Sequence, residues 1–424
     1  MSAILLVLSL YWAVLFKVNP NLGALRVVVV DFDATAAPYQ GVQALVGPAI
    51  TQLARQTRKE VGTLGWEVLA PSEFNNDPIA VRLYVYDQHA WAAIIINNNA
   101  TALLQDAVRT GNRTYDPLGA CQMIYVQARD ETTTANYIAP QLTQFATQAT
   151  SQFGRQFTAQ TLSNQSLNPS VYSQAPQALS PAIGFSIFNL RPFGPPAATP
   201  AVTIGLIYLI IIAFFSFSFY LPIYGKMVTP DGHPPMHFWE LVIWRLGMTL
   251  LTYFFLSLAY SLVSLAFQIP FTNTFPHPPT SVVSNPNPYG KATFPVYWML
   301  NFSGMIALGL ASENVSMLIG QPWTALWLIF WVITNVSTSF YELSLAPGFF
   351  RWGYAWPLYN IVAASRTILF DVHSHLGRNW GILAAWTVIN IIFFFPCAVF
   401  FRYQNTKQKI EQVPRSKWRW LLDG

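Results

Sequence analysis

Charge is scarce in this sequence. Asp, Glu, Lys and Arg make up 10% of its 424 residues, against about 25% in an ordinary soluble chain. With 53% of residues hydrophobic, such a chain is neither disordered, fibrous, nor a pair of soluble enzyme domains. Cysteine is scarcer still. Cys121 lies in the polar half and Cys397 in the last apolar run, so no disulfide framework exists. A phosphate-binding loop is missing too. Gly225-Lys226 and Gly290-Lys291 lack both the preceding Gly at the required spacing and a following Ser or Thr. ATP-driven transport would therefore need a separate subunit. There is no G-x-S-x-G elbow for a serine nucleophile. The pairs His373/His375 and His233/His237 have no third ligand nearby, and Pro234 and Pro235 keep the second pair off one helix face. Neither an enzyme, a cofactor nor a metal site is expected.

What is present points to a membrane. The net charge is +5, but the basic residues form no stripe, so nucleic acid is not an expected partner. Their one cluster, Arg402, Lys407, Lys409, Arg415, Lys417 and Arg419, follows directly on an apolar span, as cytoplasmic flanks do. The first apolar run, residues 3–16, would make about 21 Å of helix. It has no basic leader and no small-x-small site before Lys17, which favours an uncleaved helix over a signal peptide.

Residues 18–200 read as a mixed α/β domain. Strands are expected at 26–32, 89–96 and 122–126, with helices at 41–57, 100–108 and 137–157. Residues 175–200, dense in Pro and Ser, read as a linker. Sequons at Asn99, Asn112 and Asn164 agree with an extracytoplasmic, glycosylated domain. Those at Asn301, Asn314 and Asn335 fall inside apolar runs and are discarded.

Five further spans are expected, within residues 201–223, 241–269, 294–320, 322–340 and 381–401, each long enough for about 30 Å of hydrocarbon. A sixth candidate, 353–370, contains Pro357 and Arg366. If it crossed, the basic tail would end up outside, so residues 343–370 are expected to dip into the outer leaflet and return. The expected fold is an α-helical polytopic membrane protein of about six helices. Residues 1–17 form the first helix, 18–200 the inserted domain, 201–403 a five-helix part and 404–424 a cytoplasmic tail.

The segments PGFFRWGYAWPLYN (347–360) and SRTILFDVHSHLGRNWGILAAW (365–386) resemble the fungal nitrosoguanidine-resistance, permease-like family, largely described as a domain of unknown function. VVVVDFD (27–33), WEVLAPSEF (66–74) and HAWAAIIINNNATALL (89–104) are similar to the outer domain of that family. A more distant likeness links it to phage-infection proteins and type-2 ABC exporter membrane subunits. The resemblance implies a multispanning protein, one helix followed by a large outer domain and five helices, tied to resistance against toxic small molecules. It carries over no catalytic residues. Members usually have a longer cytoplasmic N-terminal tail, a departure at the start of this chain.

Ionisable groups inside apolar runs are the best functional pointers, because hydrocarbon penalises charge. Glu313 with Asn314 lies in the fourth run, downstream of small residues at Ser303, Ala307 and Ala311. Its bland reading is a side chain snorkelling to the headgroups. Arg366 is expected to meet lipid phosphate. Asp31 and Asp33 read as a solvated strand end. The leading function is permease-like export of, or resistance to, small amphipathic toxicants. The rivals are a non-transporting regulator of membrane lipid composition or of another transporter, and a receptor-like scaffold. Membrane lipids are the expected partners, with a small toxicant next, and a homo-oligomer is compatible with the sequence. The plasma membrane is the expected location, with the endoplasmic reticulum or another endomembrane as the alternative.

Overall fold

The computed structural model describes residues 2–163, 173–228, 237–269, 271, 289–320 and 323–412. Helix α1 (Ser2–Leu15) leads into a part built around five strands. In chain order these elements are β1 (Arg26–Asp31), α2 (Val46–Thr57), β2 (Gly65–Leu69), α3 (Pro78–Tyr86), β3 (Ala92–Ile96), α4 (Ala100–Thr110), β4 (Cys121–Tyr125), α5 (Ala139–Ser163) and β5 (Phe185–Asn189). The helical part follows as α6 (Ile207–Val228), α7 (Phe238–Ala266), α8 (Thr293–Ile319), α9 (Thr324–Ser339), α10 (Pro357–Phe370) and α11 (Leu376–Gln412).

The sheet order is β2-β1-β3-β4-β5. β1 runs parallel to β2 and β3, β4 is antiparallel to β3, and β5 is parallel to β4. Four consecutive valines in β1 are buried, as a strand covered on both faces requires. Val27, Val29, Ile94, Ile96 and Met123 pack under α2, α4 and α5. Val28, Val30, Ala93, Ile95 and Ile124 face α3, and that core runs on without a break through Ala198, Ala201 and Leu206 into the helical part. The segment expected to be a linker, 175–200, therefore contains an edge strand, β5. Its five residues between Pro- and Ser-rich flanks are too short to show a period, and pairing with β4 is what holds them extended.

Among the described residues, four helices are long and apolar enough to cross a membrane: Pro196–Met227, Phe238–Ala266, Gly290–Ile319 and Leu376–Asn405. α1 joins them as a fifth only together with the short helical stretch after it, across a 43° bend. α9 has 16 residues, about 24 Å of helix. It is apolar but shorter than the others.

α8 occupies the centre and is buried along most of its length. Gly304 lets Ile361 of α10 approach its backbone, and Gly309 does the same for Tyr253 of α7. A side chain at either position would collide with its neighbour. α10 has 14 residues, nearly all buried, and is too short to cross. The chain enters this region at Glu342 and leaves it at His373, and both residues line one cavity. The segment between them thus begins and ends at the same place.

Candidate functional site

Inside the helical part, α7 and α8 carry opposite charges at facing positions. Arg245 Nε donates to Glu313 Oε1 at 2.6 Å, and Thr249 Oγ1 donates to Oε2 at 3.1 Å. The two charged side chains are 1% and 0% exposed. Glu313 does not snorkel to the headgroups; burial against α7 gives it a guanidinium instead. The remaining face of that guanidinium is walled by aromatic rings, with Cζ 4.8 Å from the centroid of Tyr224 and 5.0 Å from that of Phe401. Its two Nη atoms are buried without a hydrogen-bond partner. Ring faces offset part of that cost by cation–π attraction.

Asn314 points the other way. Its Nδ2 donates to the Asn390 carbonyl on α11 at 2.8 Å, and Asn390 Nδ2 donates to the Ala307 carbonyl at 3.1 Å. This reciprocal pair clips α8 to α11 by giving both side-chain NH2 groups a backbone carbonyl in an apolar setting. It is part of the packing, one residue away from the charged pair.

Arg366 is not brought together with Glu313. It sits near the end of α10, 8% exposed, where Nη1 donates to the Arg129 carbonyl at 3.1 Å and lies 3.5 Å from Asp130 Oδ2. The expected lipid-facing arginine is turned towards the sheet part. A neighbouring pair, absent from the sequence reading, reinforces this seam. Arg191 Nη2 meets Asp371 Oδ2 at 2.8 Å, Arg191 Nε donates to the Asp371 carbonyl at 2.9 Å, and Tyr86 Oη donates to that carbonyl at 3.1 Å.

Among the sequons, Asn112 is exposed and its Oδ1 accepts from the Thr114 backbone and hydroxyl at 2.9 and 2.7 Å. Asn99 is half-buried, and the hydroxyl of its Thr101 is consumed inside the fold. Asn164 lies outside the described residues. Asp33 is buried, not solvated. Its Oδ2 accepts from Gly47 N and Thr101 Oγ1, and its Oδ1 from Thr101 N, so it holds the first turns of α2 and α4.

Arg245, the partner of Glu313 in this buried pair, was not singled out from the sequence. An arginine in the first turns of an apolar run is commonplace, and the available signal was its opposite sign to the lone acid in the next run.

Among known families, the profile described as protein of unknown function (DUF3533) matches residues 1–392. The chain is also 25% identical, over 404 residues, to the Saccharomyces cerevisiae protein named uncharacterized endoplasmic reticulum membrane protein YJR015W. That alignment takes in 90% of this chain and 74% of the yeast protein. No solved structure matches.

Proposed function

The chain belongs to the DUF3533 family, and from that premise we propose that it is a permease-like integral membrane protein acting on small amphipathic toxicants. The observation that carries this reading is the Arg245–Glu313 pair. Two charges buried among apolar helices cost several kcal/mol of desolvation each, and a well-packed hydrophobic pair is often as stable or more so. A fold that keeps them has a use for charge at that position. Glu313 can exchange its guanidinium partner for a cationic substrate, and the exchange would loosen α7 from α8. That is the kind of two-state contact on which transport depends.

In this proposal six helices cross: α1, α6, α7, α8, α9 and α11. Residues 343–370 dip from the outer side and return, the sheet part is extracytoplasmic, and Asn112 is the principal glycan acceptor. The basic tail is cytoplasmic. Because the yeast relative is named as an endoplasmic reticulum membrane protein, the endoplasmic reticulum moves ahead of the plasma membrane.

A second reading, a non-transporting regulator of membrane lipid, is favoured by one observation. Between α6 and α7 an apolar groove of about 580 Å3 is lined by Tyr208, Ile212, Leu256, Tyr260, Val263 and Phe267, a surface suited to an acyl chain.

The test is efflux of a labelled toxicant from liposomes containing only this protein. Because Glu313→Gln alone strands a buried cation, the informative variant is Arg245→Gln with Glu313→Gln. Efflux by the wild type and its loss in the neutral double variant, at equal reconstituted amounts, is the expected result. Absence of wild-type efflux, with altered lipid exposure in cells lacking the protein, would select the second reading.

A further inference from the structure

A cavity of about 260 Å3 lies where the sheet part meets α10 and the start of α11. Three arginines line it, each from a different element: Arg129 from the turn after β4, Arg366 from α10 and Arg378 from the first turn of α11. Its acids are Asp130 and Glu342, and both carry bonds already. Asp130 Oδ1 accepts from Thr133 N at 2.9 Å, and its Oδ2 faces Arg366 Nη1. Glu342 Oε1 accepts from Ser344 N at 3.2 Å.

Hydrogen-bonding capacity is left over. Nε and Nη2 of Arg366, and both amide atoms of Asn379, are buried with no partner. Arg366 is 8% exposed and Asn379 fully buried. Polar groups buried in native proteins nearly always have partners, so a group of them around one cavity points to something that binds there. Burial, followed by the charges of Arg378, His373 and Arg129, holds the His375 imidazole below its ordinary value.

We propose that this cavity binds a phosphate group, carried on a lipid or free. Arg366 and Arg378 present guanidinium groups from two elements, and Arg129, whose Nη1 donates to the Ala90 carbonyl at 3.0 Å, adds a third positive charge. This suits a tetrahedral oxyanion, which presents oxygens on several sides, whereas a carboxylate presents two in one plane. The space falls below the roughly 300 Å3 at which drug-sized sites begin. It holds a headgroup and not the chains attached to it.

The site is independent of transport, and so is its test. Thermal unfolding of the purified full chain in detergent is followed with inorganic phosphate, with dihexanoyl phosphatidic acid, and with chloride at matched ionic strength. A phosphate-bearing probe is expected to raise the unfolding temperature where chloride does not. Arg378→Gln, at an exposed position the fold tolerates, should weaken binding about tenfold, the loss of one charge-assisted hydrogen bond. Arg366→Gln should weaken it at least as much. Equal response to both probes assigns the site to the free anion, and response to the lipid alone assigns it to a headgroup. No shift with either probe, a shift that chloride reproduces, or equal affinity in wild type and Arg378→Gln would overturn the assignment. Failure here leaves the Arg245–Glu313 reading standing, and a failed efflux assay leaves this one standing.

Discussion

Asp31 and Asp33 stand two residues apart at the end of β1 and meet opposite fates. Asp33 spends its oxygens on backbone and hydroxyl donors of α2 and α4. Among the described residues Asp31 accepts only from the Asp33 backbone, at 3.0 Å, and burial, with the neighbouring Asp33 charge adding to it, pushes its carboxyl up to about 6. The folded state therefore holds this proton where the unfolded chain, with an ordinary carboxyl, has released it. The contribution to stability is greatest below about pH 4 and is lost as pH rises through 6. Asp31→Asn should flatten that slope: its unfolding temperature should change less between pH 4.5 and 7 than that of the wild type. An unchanged slope would locate the titrating group elsewhere.

The charged pair makes a second prediction at this scale. Glu313→Gln alone leaves Arg245 buried and uncompensated and should destabilise by about 3–5 kcal/mol. Adding Arg245→Gln should recover much of that loss, so the two changes are strongly non-additive in denaturation. Additive losses would mean that the pair is not coupled.

Among the elements, α8 decides how closely the helices approach. Gly304→Leu would drive a side chain into Ile361 of α10, an overpacking expected to cost about 1–3 kcal/mol. The same substitution at Gly377, with open space beside it, should be nearly neutral. Comparing the two by thermal unfolding in detergent separates steric conflict from general intolerance of bulk.

How readily each element was read followed from its own composition. β1, β3 and β4 are compact runs of branched and apolar residues, and each expected strand coincides with an observed one to within a few residues. Much of the helical part was legible by length, but the span expected at 322–340 is the 16-residue helix α9. β5 was not, because an edge strand needs its partner to become a strand, and its Pro and Ser neighbours describe a loop equally well. The site divides along the same line. Glu313 stood out as an acid in an apolar run, a local property. Its pairing with Arg245, 68 residues earlier, belongs to packing and leaves no local pattern. Arg129, Arg366 and Arg378 meet only because the sheet part settles onto the end of α10.

For the molecule as a whole, Glu342 and His373 at one cavity make a direct test of sidedness. Both native cysteines are buried, so single cysteines introduced at the exposed Gly348 and Ser374 can be labelled against a low background. An impermeant reagent should reach both positions from the same side. Labelling from opposite sides would mean that 343–370 crosses. The unbroken core between sheet and helices carries a further expectation: calorimetry should record one unfolding transition, since one face of the sheet shares its core with the helices.

The seam closed by Arg191 and Asp371 has an evolutionary corollary. Residues 180 positions apart in the chain share one buried contact, so the unit that can be exchanged between relatives is discontinuous. A chimera grafting residues 26–191 from a family member onto this scaffold would inherit one half of the latch without the other. One that also carries 357–375 would transplant the whole joint, and lineages in this family should have drifted at the two segments in concert.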